Sequence, residues 1–177
     1  MKLKEKFLAD IRVFKAPELA KQILKSHQLS ELVKLALEKD ALLSSRAMWV
    51  LTHCSDIDPT CVKPYYASLI LNLKNKSLHN GVIRGTLRLF QEQDVPTEHQ
   101  SFLLDKCYEY VKNPAEAIAI RSFAITVIYQ ISKSYPELLN ELKLLLLHLN
   151  TNDTSPGMTS RIKNTLKLIE RNKRNIK

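Results

Sequence analysis

Residues 113–149, NPAEAIAIRSFAITVIYQISKSYPELLNELKLLLLHL, decide the fold. They read as an apolar helix opened by Asn113-Pro114, a short polar turn at Lys133–Tyr135, and a second, amphipathic helix from Pro136. An Asn side chain caps free N–H groups at a helix start, and proline is tolerated in a first turn whose N–H groups lack intrahelical partners. In the apolar body of the first helix stands Arg121, directly after an isoleucine.

The pattern recurs. Arg46, Arg84, Arg121 and Arg161 are separated by 38, 37 and 40 residues, and Pro59, Pro96 and Pro136 follow the first three by 13, 12 and 15. Asp40, Asn75, Asn113 and Asp153 precede the arginines by six to nine positions, in the turns that open the arginine-bearing helices. A period near 40 without strand signals marks an array of stacked helix pairs. The expected fold is all-α, a short right-handed α-α superhelix.

Outward from the central stretch, the pattern predicts four pairs. They are 29–39 with 41–55, 61–73 with 78–93, 98–112 with 114–133, and 136–150 with 157–172. Two leading segments precede them: a helix over 2–15 with Leu3, Phe7, Leu8, Ile11 and Phe14 on one stripe, and a short element from Pro17. End units of such arrays are atypical because one side lacks a neighbour. The whole chain, 1–177, is expected to form a single domain, with 1–27 as cover, 28–172 as repeats and 173–177 as a basic tail. The loop TNDTSPG after the seventh repeat helix reads as its most mobile internal segment.

Composition narrows the class. With 177 residues, 45% apolar content and only three glycines, the chain has material for a core and favours helix. Three cysteines, 54, 61 and 107, are an odd number without a disulfide framework, which suits a reducing compartment. The first fifteen residues carry Glu5 and Asp10 and do not resemble a secretory signal, and the aliphatic run Leu144–Leu147 is far too short to span a bilayer. A cytoplasmic protein is expected, with no membrane contact. The formal charge of +9 is concentrated late: residues 113–177 carry +5 of it.

Two-helix units of this length, with Asp or Asn in the turn and Arg early in the second helix, resemble HEAT repeats. The resemblance covers residues 28–172. Ile83-Arg84 and Ile120-Arg121 match the hydrophobic-Arg pair, whereas Ser45-Arg46 and Ser160-Arg161 keep only the Arg, and Asn75 and Asn113 replace the usual acid. The resemblance implies that these positions support hydrogen bonding between neighbouring units. It also implies binding of a protein or nucleic acid on an extended surface. A minority of HEAT-like proteins, the alkylation-repair glycosylase-like group, excise damaged bases from a groove of aromatic, acidic and basic residues. No such cluster maps onto this sequence.

Arg46, Arg84, Arg121 and Arg161 recur with the architecture and are assigned structural roles. Registered on them, positions two, six and nine further on are expected to face a groove: Met48, Thr52 and Ser55; Thr86, Phe90 and Gln93; Phe123, Val127 and Gln130; Lys163, Lys167 and Glu170. Phe90, Phe123, Val127 and Gln130 are the candidate protein-binding residues, since exposed apolar groups on a helix face mark a groove for a partner. The competing reading of each is plain core. Arg84, Arg88, Lys163, Lys167 and Arg171 are the candidates for a nucleic-acid contact, because cationic rows neutralise phosphates. Trp49 is expected in the core or in a helix–helix contact. His53, Cys54 and Cys61 around Asp56 and Asp58 fall short of a zinc pattern, and His53 and Cys54, being adjacent on a helix, point apart. No cofactor and no catalytic residue is expected. The leading function is non-enzymatic binding of a protein or peptide; the alternative is nucleic-acid binding.

Overall fold

The computed structural model describes residues 3–8, 15–152 and 155–175, without the side chains of 151, 152 and 173–175. Ile11, Phe14, Asp153 and the side chains of the basic tail therefore lie outside the described residues. Among the described residues ten α-helices follow one another: α1 Leu3–Leu8, α2 Ala16–Lys25, α3 Leu29–Ala36, α4 Ala41–Ile57, α5 Tyr66–Asn72, α6 Asn80–Leu89, α7 Thr97–Lys112, α8 Ile118–Ser132, α9 Pro136–Asn152 and α10 Pro156–Asn175. A 3-10 turn, Lys63–Tyr65, leads into α5. Among the described residues there is no strand. The fold is all-α, and of the expected pairs α3–α4, α7–α8 and α9–α10 pack as pairs, whereas α6 packs chiefly on α4 rather than on α5.

Several boundaries move, each for a local reason. The helix expected from Pro114 begins at Ile118. Asn113 instead closes α7, donating its N–H to the Glu109 carbonyl, with extended backbone at φ −84° and ψ 107°. A residue before proline is pushed out of the helical region, so Asn113 must be extended. Its side chain then accepts the Ala115 N–H at 3.1 Å in a turn. The helix expected from Cys61 starts later, at Tyr66, because Asp58 Oδ1 accepts both the Thr60 N–H and hydroxyl and holds the chain in a turn. Asp40 is a true N-cap, accepting the Leu43 N–H at 2.8 Å. At the end of α2, His27 takes φ 55° while its N–H and that of Gln28 reach the carbonyls of Leu24 and Ile23. That is a Schellman motif with histidine where glycine is usual.

Two compact units divide the chain, Met1–Leu89 and Phe90–Lys177. The first is built round α4, which packs against α1, α2, α3 and α6. Leu43, Ala47, Met48, Val50, Leu51 and Cys54 on α4 are all fully buried. The second is built round α8, which packs against α7, α9 and α10 and buries Ile120, Ala124, Ile125, Val127 and Ile128. Each large side chain so buried contributes about 1.5–3 kcal/mol.

The repeated arginines serve three different ends. Arg46 donates Nη1 to the Phe7 carbonyl at 2.8 Å, tying α4 to α1. Arg121 is only 6% exposed and donates Nε to the Val111 carbonyl at the end of α7. Arg161 donates Nη1 to Thr126 Oγ1 at 2.8 Å, joining α10 to α8. Arg84 is exposed and makes no hydrogen bond or ion pair among the described residues, which leaves this one repeat position without the role assigned to it.

Candidate interaction surface

The groove expected from the sequence does not form. Met48, Thr52 and Ser55 on α4, Thr86 on α6, and Phe90 and Val127 are buried, with Phe90 and Val127 both at 0% exposure. Phe123 and Gln130 are half-buried, and Gln130 donates Nε2 to the Gln91 carbonyl at 2.7 Å. Phe90 and Val127 are core, and Gln130 ties a loop. The error is rotational: one residue along an α-helix turns the side chain by about 100°. On α4 the open stripe runs through Trp49, one residue beyond the buried Met48, and on α6 it runs through Arg84 and Arg88.

The open stripe of α4 starts at Leu42 (49% exposed), passes Ser45, Trp49 (43%), His53 and Asp56, and ends at Ile57 (49%). Trp49, expected in the core or in a helix–helix contact, is thus a surface side chain. Its ring centroid lies 6.1 Å from that of His53, one turn on, with the planes tilted by 52°. His53 Nδ1 lies 3.4 Å from Asp56 Oδ2. Arg88 of α6 directs Nη2 at both Asp56 oxygens, 3.1 and 3.0 Å away.

Two glycines bring the helices this close. A Cβ at Gly81 would stand 2.8 Å from the Ser45 Cβ, and one at Gly85 2.3 Å from the Met48 Cγ. Glycine within a helix costs about 1 kcal/mol relative to alanine, so both positions trade propensity for close approach. Arg84 and Arg88 each follow a glycine by three residues, on the exposed stripe of α6 beside that of α4.

The neighbouring thiols are not nucleophiles. Burial, reinforced by the nearby Cys61, pushes the Cys54 thiol up to about 12; burial and then Asp58 push Cys61 up to about 11. A thiolate is the reactive form, so both stay protonated near neutrality. The Asp58 carboxyl is held below its ordinary value by the Thr60 hydroxyl and N–H. Among the described residues no group of three or more His, Cys, Asp or Glu side chains could hold a metal ion. No described helix is long and apolar enough to cross a membrane.

The other predicted cations lie on α10, in the second unit. Lys163, Lys167 and Arg171 are exposed at i, i+4 and i+8, and Lys167 and Arg171 edge a shallow depression of about 380 Å³ with Leu166 and Glu170. Glu170 also pairs with Lys143 of α9. The structure brings Trp49 and Arg88 to His53 and Asp56, which sequence reasoning weighed only as part of an incomplete zinc pattern. The available signal was the stripe spacing 42, 49, 53, 56 on one helix, joined to two Gly-x-x-Arg steps on another.

A family model for the HEAT repeat domain matches residues 3–169, nearly the whole described chain. The chain belongs to the HEAT repeat family. Comparison with curated proteins and with solved structures returns no significant match. The match reaches back to α1 and α2, which a reading confined to residues 28–172 leaves outside the repeats. HEAT-type helical surfaces are suited to protein partners, so the exposed stripe on α4 and α6 of this HEAT domain becomes the surface of interest.

Proposed function

We propose that this HEAT domain is a non-enzymatic binding module that engages a protein partner through the open stripes of α4 and α6. The observation that carries the reading is Trp49, 43% exposed between Leu42 and Ile57 on a stripe whose Asp56 holds Arg88 of α6. Tryptophan and arginine dominate binding hot spots, because they combine large contact area with directed polar groups. Three large apolar side chains on one exposed stripe otherwise cost solvation without return. The test is selection of binders from a displayed random-peptide library. Binding that is lost in Trp49→Ala, with the thermal midpoint kept, supports the reading. Binders indifferent to Trp49 sink it.

A nucleic-acid reading is favoured by one observation, the line of Lys163, Lys167 and Arg171 on α10. Its test is oligonucleotide binding across a salt series, with Lys163→Glu and Lys167→Glu combined as control. Sub-micromolar affinity that falls steeply with salt and disappears in the double variant supports nucleic acid. Weak binding at moderate salt leaves α10 as a basic cap whose charge complements the helix C-terminus.

A further inference from the structure

We infer that the segment held on the α4–α6 face is an acidic peptide carrying a bulky apolar side chain, which rests on the protein-binding reading above. The face has two parts. Leu42, Trp49 and Ile57 form an apolar line along α4, and Arg84 and Arg88 form a cationic rail on α6 beside it. From Leu42 to Ile57 the stripe runs about 22 Å at 1.5 Å per residue. That length takes about seven residues of extended chain.

The charges select the occupant. Arg84 meets no carboxylate among the described residues, and Arg88 uses only Nη2 on Asp56. A guanidinium has five N–H donors in a planar fork matched to carboxylates. Nε and Nη1 of Arg88 and the whole head of Arg84 remain for a ligand. A peptide carboxylate at this rail and an apolar side chain on the Trp49 ring satisfy both halves of the face together.

Other occupants fit less well. A nucleic-acid backbone would bring an unbroken phosphate row past Asp56, whose carboxylate sits 46% exposed on the stripe, whereas a peptide can place its carboxylates at the arginines and none at Asp56. Two arginines do not offset that repulsion along a polyanion. A second copy of this chain carries +9 of its own. The two glycines that draw α6 onto α4 hold rail and ring at a fixed spacing, so the face is built rather than incidental.

Trp49 is the only tryptophan, so its fluorescence reads this face directly. The full chain is titrated with tryptophan-free 12-residue peptides of random sequence, sorted by net charge, and with oligo-dT of matching length. Acidic peptides containing Leu or Phe should give a saturable change in Trp49 emission. Their affinity should fall at least tenfold in Arg84→Glu/Arg88→Glu and at least threefold in Arg84→Gln, which leaves the Asp56 pair intact. It should be unchanged in Lys163→Glu/Lys167→Glu. Basic or neutral peptides binding equally well would overturn the acidic assignment and leave the protein-binding reading standing. Oligo-dT binding more tightly through the same arginines would overturn it in favour of a polyanion. Silence from every peptide, whatever its charge, would overturn both readings.

Discussion

The units centred on α4 and α8 share a plan and differ at the surface. In each, a long helix is enclosed by its neighbours, and an arginine from it reaches a carbonyl on an earlier helix: Arg46 to Phe7, Arg121 to Val111. In each, glycine allows close packing of the next second-position helix, Gly81 and Gly85 against α4 and Gly157 against Ile118 of α8. On α8, however, the partly open stripe is closed by its own bonds, Gln130 to the Gln91 carbonyl and Thr126 from Arg161. On α4 the corresponding stripe leaves Trp49 43% exposed, next to His53 and the Asp56–Arg88 ion pair. One scaffold therefore closes its stripe in one half and leaves it open in the other.

The contrast breaks most sharply at two aromatic residues. Phe90→Ala should destabilise the fold by about 3–5 kcal/mol, the range for a large core aromatic removed to leave a cavity. Trp49→Ala should cost under about 1 kcal/mol, since the ring is partly solvated already. Equal losses in urea unfolding would erase the distinction between core and face. The arginines give the next test. Arg121→Ala should lose about 2–3 kcal/mol, because the buried Val111 carbonyl gives up a charged donor. Arg84→Ala should change stability by less than about 0.5 kcal/mol.

Alkali sharpens the comparison through the thiols. Burial raises Cys54 to about 12 and Cys61 to about 11 from an ordinary 9.0, so the folded chain keeps protons that the unfolded chain releases. Stability is then fully present below about pH 9 and falls as pH rises towards 11–12. Denaturant midpoints at pH 8 and pH 10.5 should show the fall, and Cys54→Ala should reduce it. A smaller effect runs the other way. His27→Gly should stabilise the first unit by about 1 kcal/mol by relieving the left-handed backbone at the end of α2. The smallest concerns Arg88 and Asp56. A double-mutant cycle should return less than about 1 kcal/mol and lose most of that in high salt, because both side chains are over 40% exposed.

The period of the arginines and prolines made the helix pairs legible, because the same packing constraint recurs at each turn. Asp40 as a cap and the absence of strand followed from local chemistry. The groove was not legible. Choosing between Met48 and Trp49, adjacent on α4, requires knowing which side α6 approaches, and that is set by Gly81 and Gly85 some 35 residues later. Both residues are apolar, so periodicity offers no preference between them. Arg88 stood out in sequence as a charge where its counterparts are Val50, Ile125 and Thr165. Its meaning needed Asp56, which belongs to another helix. The start of α8 was misplaced for a simpler reason: Asn-Pro serves to end a helix as well as to begin one.

The arrangement round α4 also bears on how the chain is made. Helices α1, α2, α3 and α6, which pack on α4, all precede residue 90, and 88 residues of this sequence follow Leu89. At about 5–20 residues per second, a ribosome needs roughly 5–20 s for that remainder, whereas helical units with local contacts fold in microseconds to milliseconds. Helix α4 therefore has α1, α2, α3 and α6 to pack on before the second unit has been synthesised. The order of synthesis becomes the order of folding.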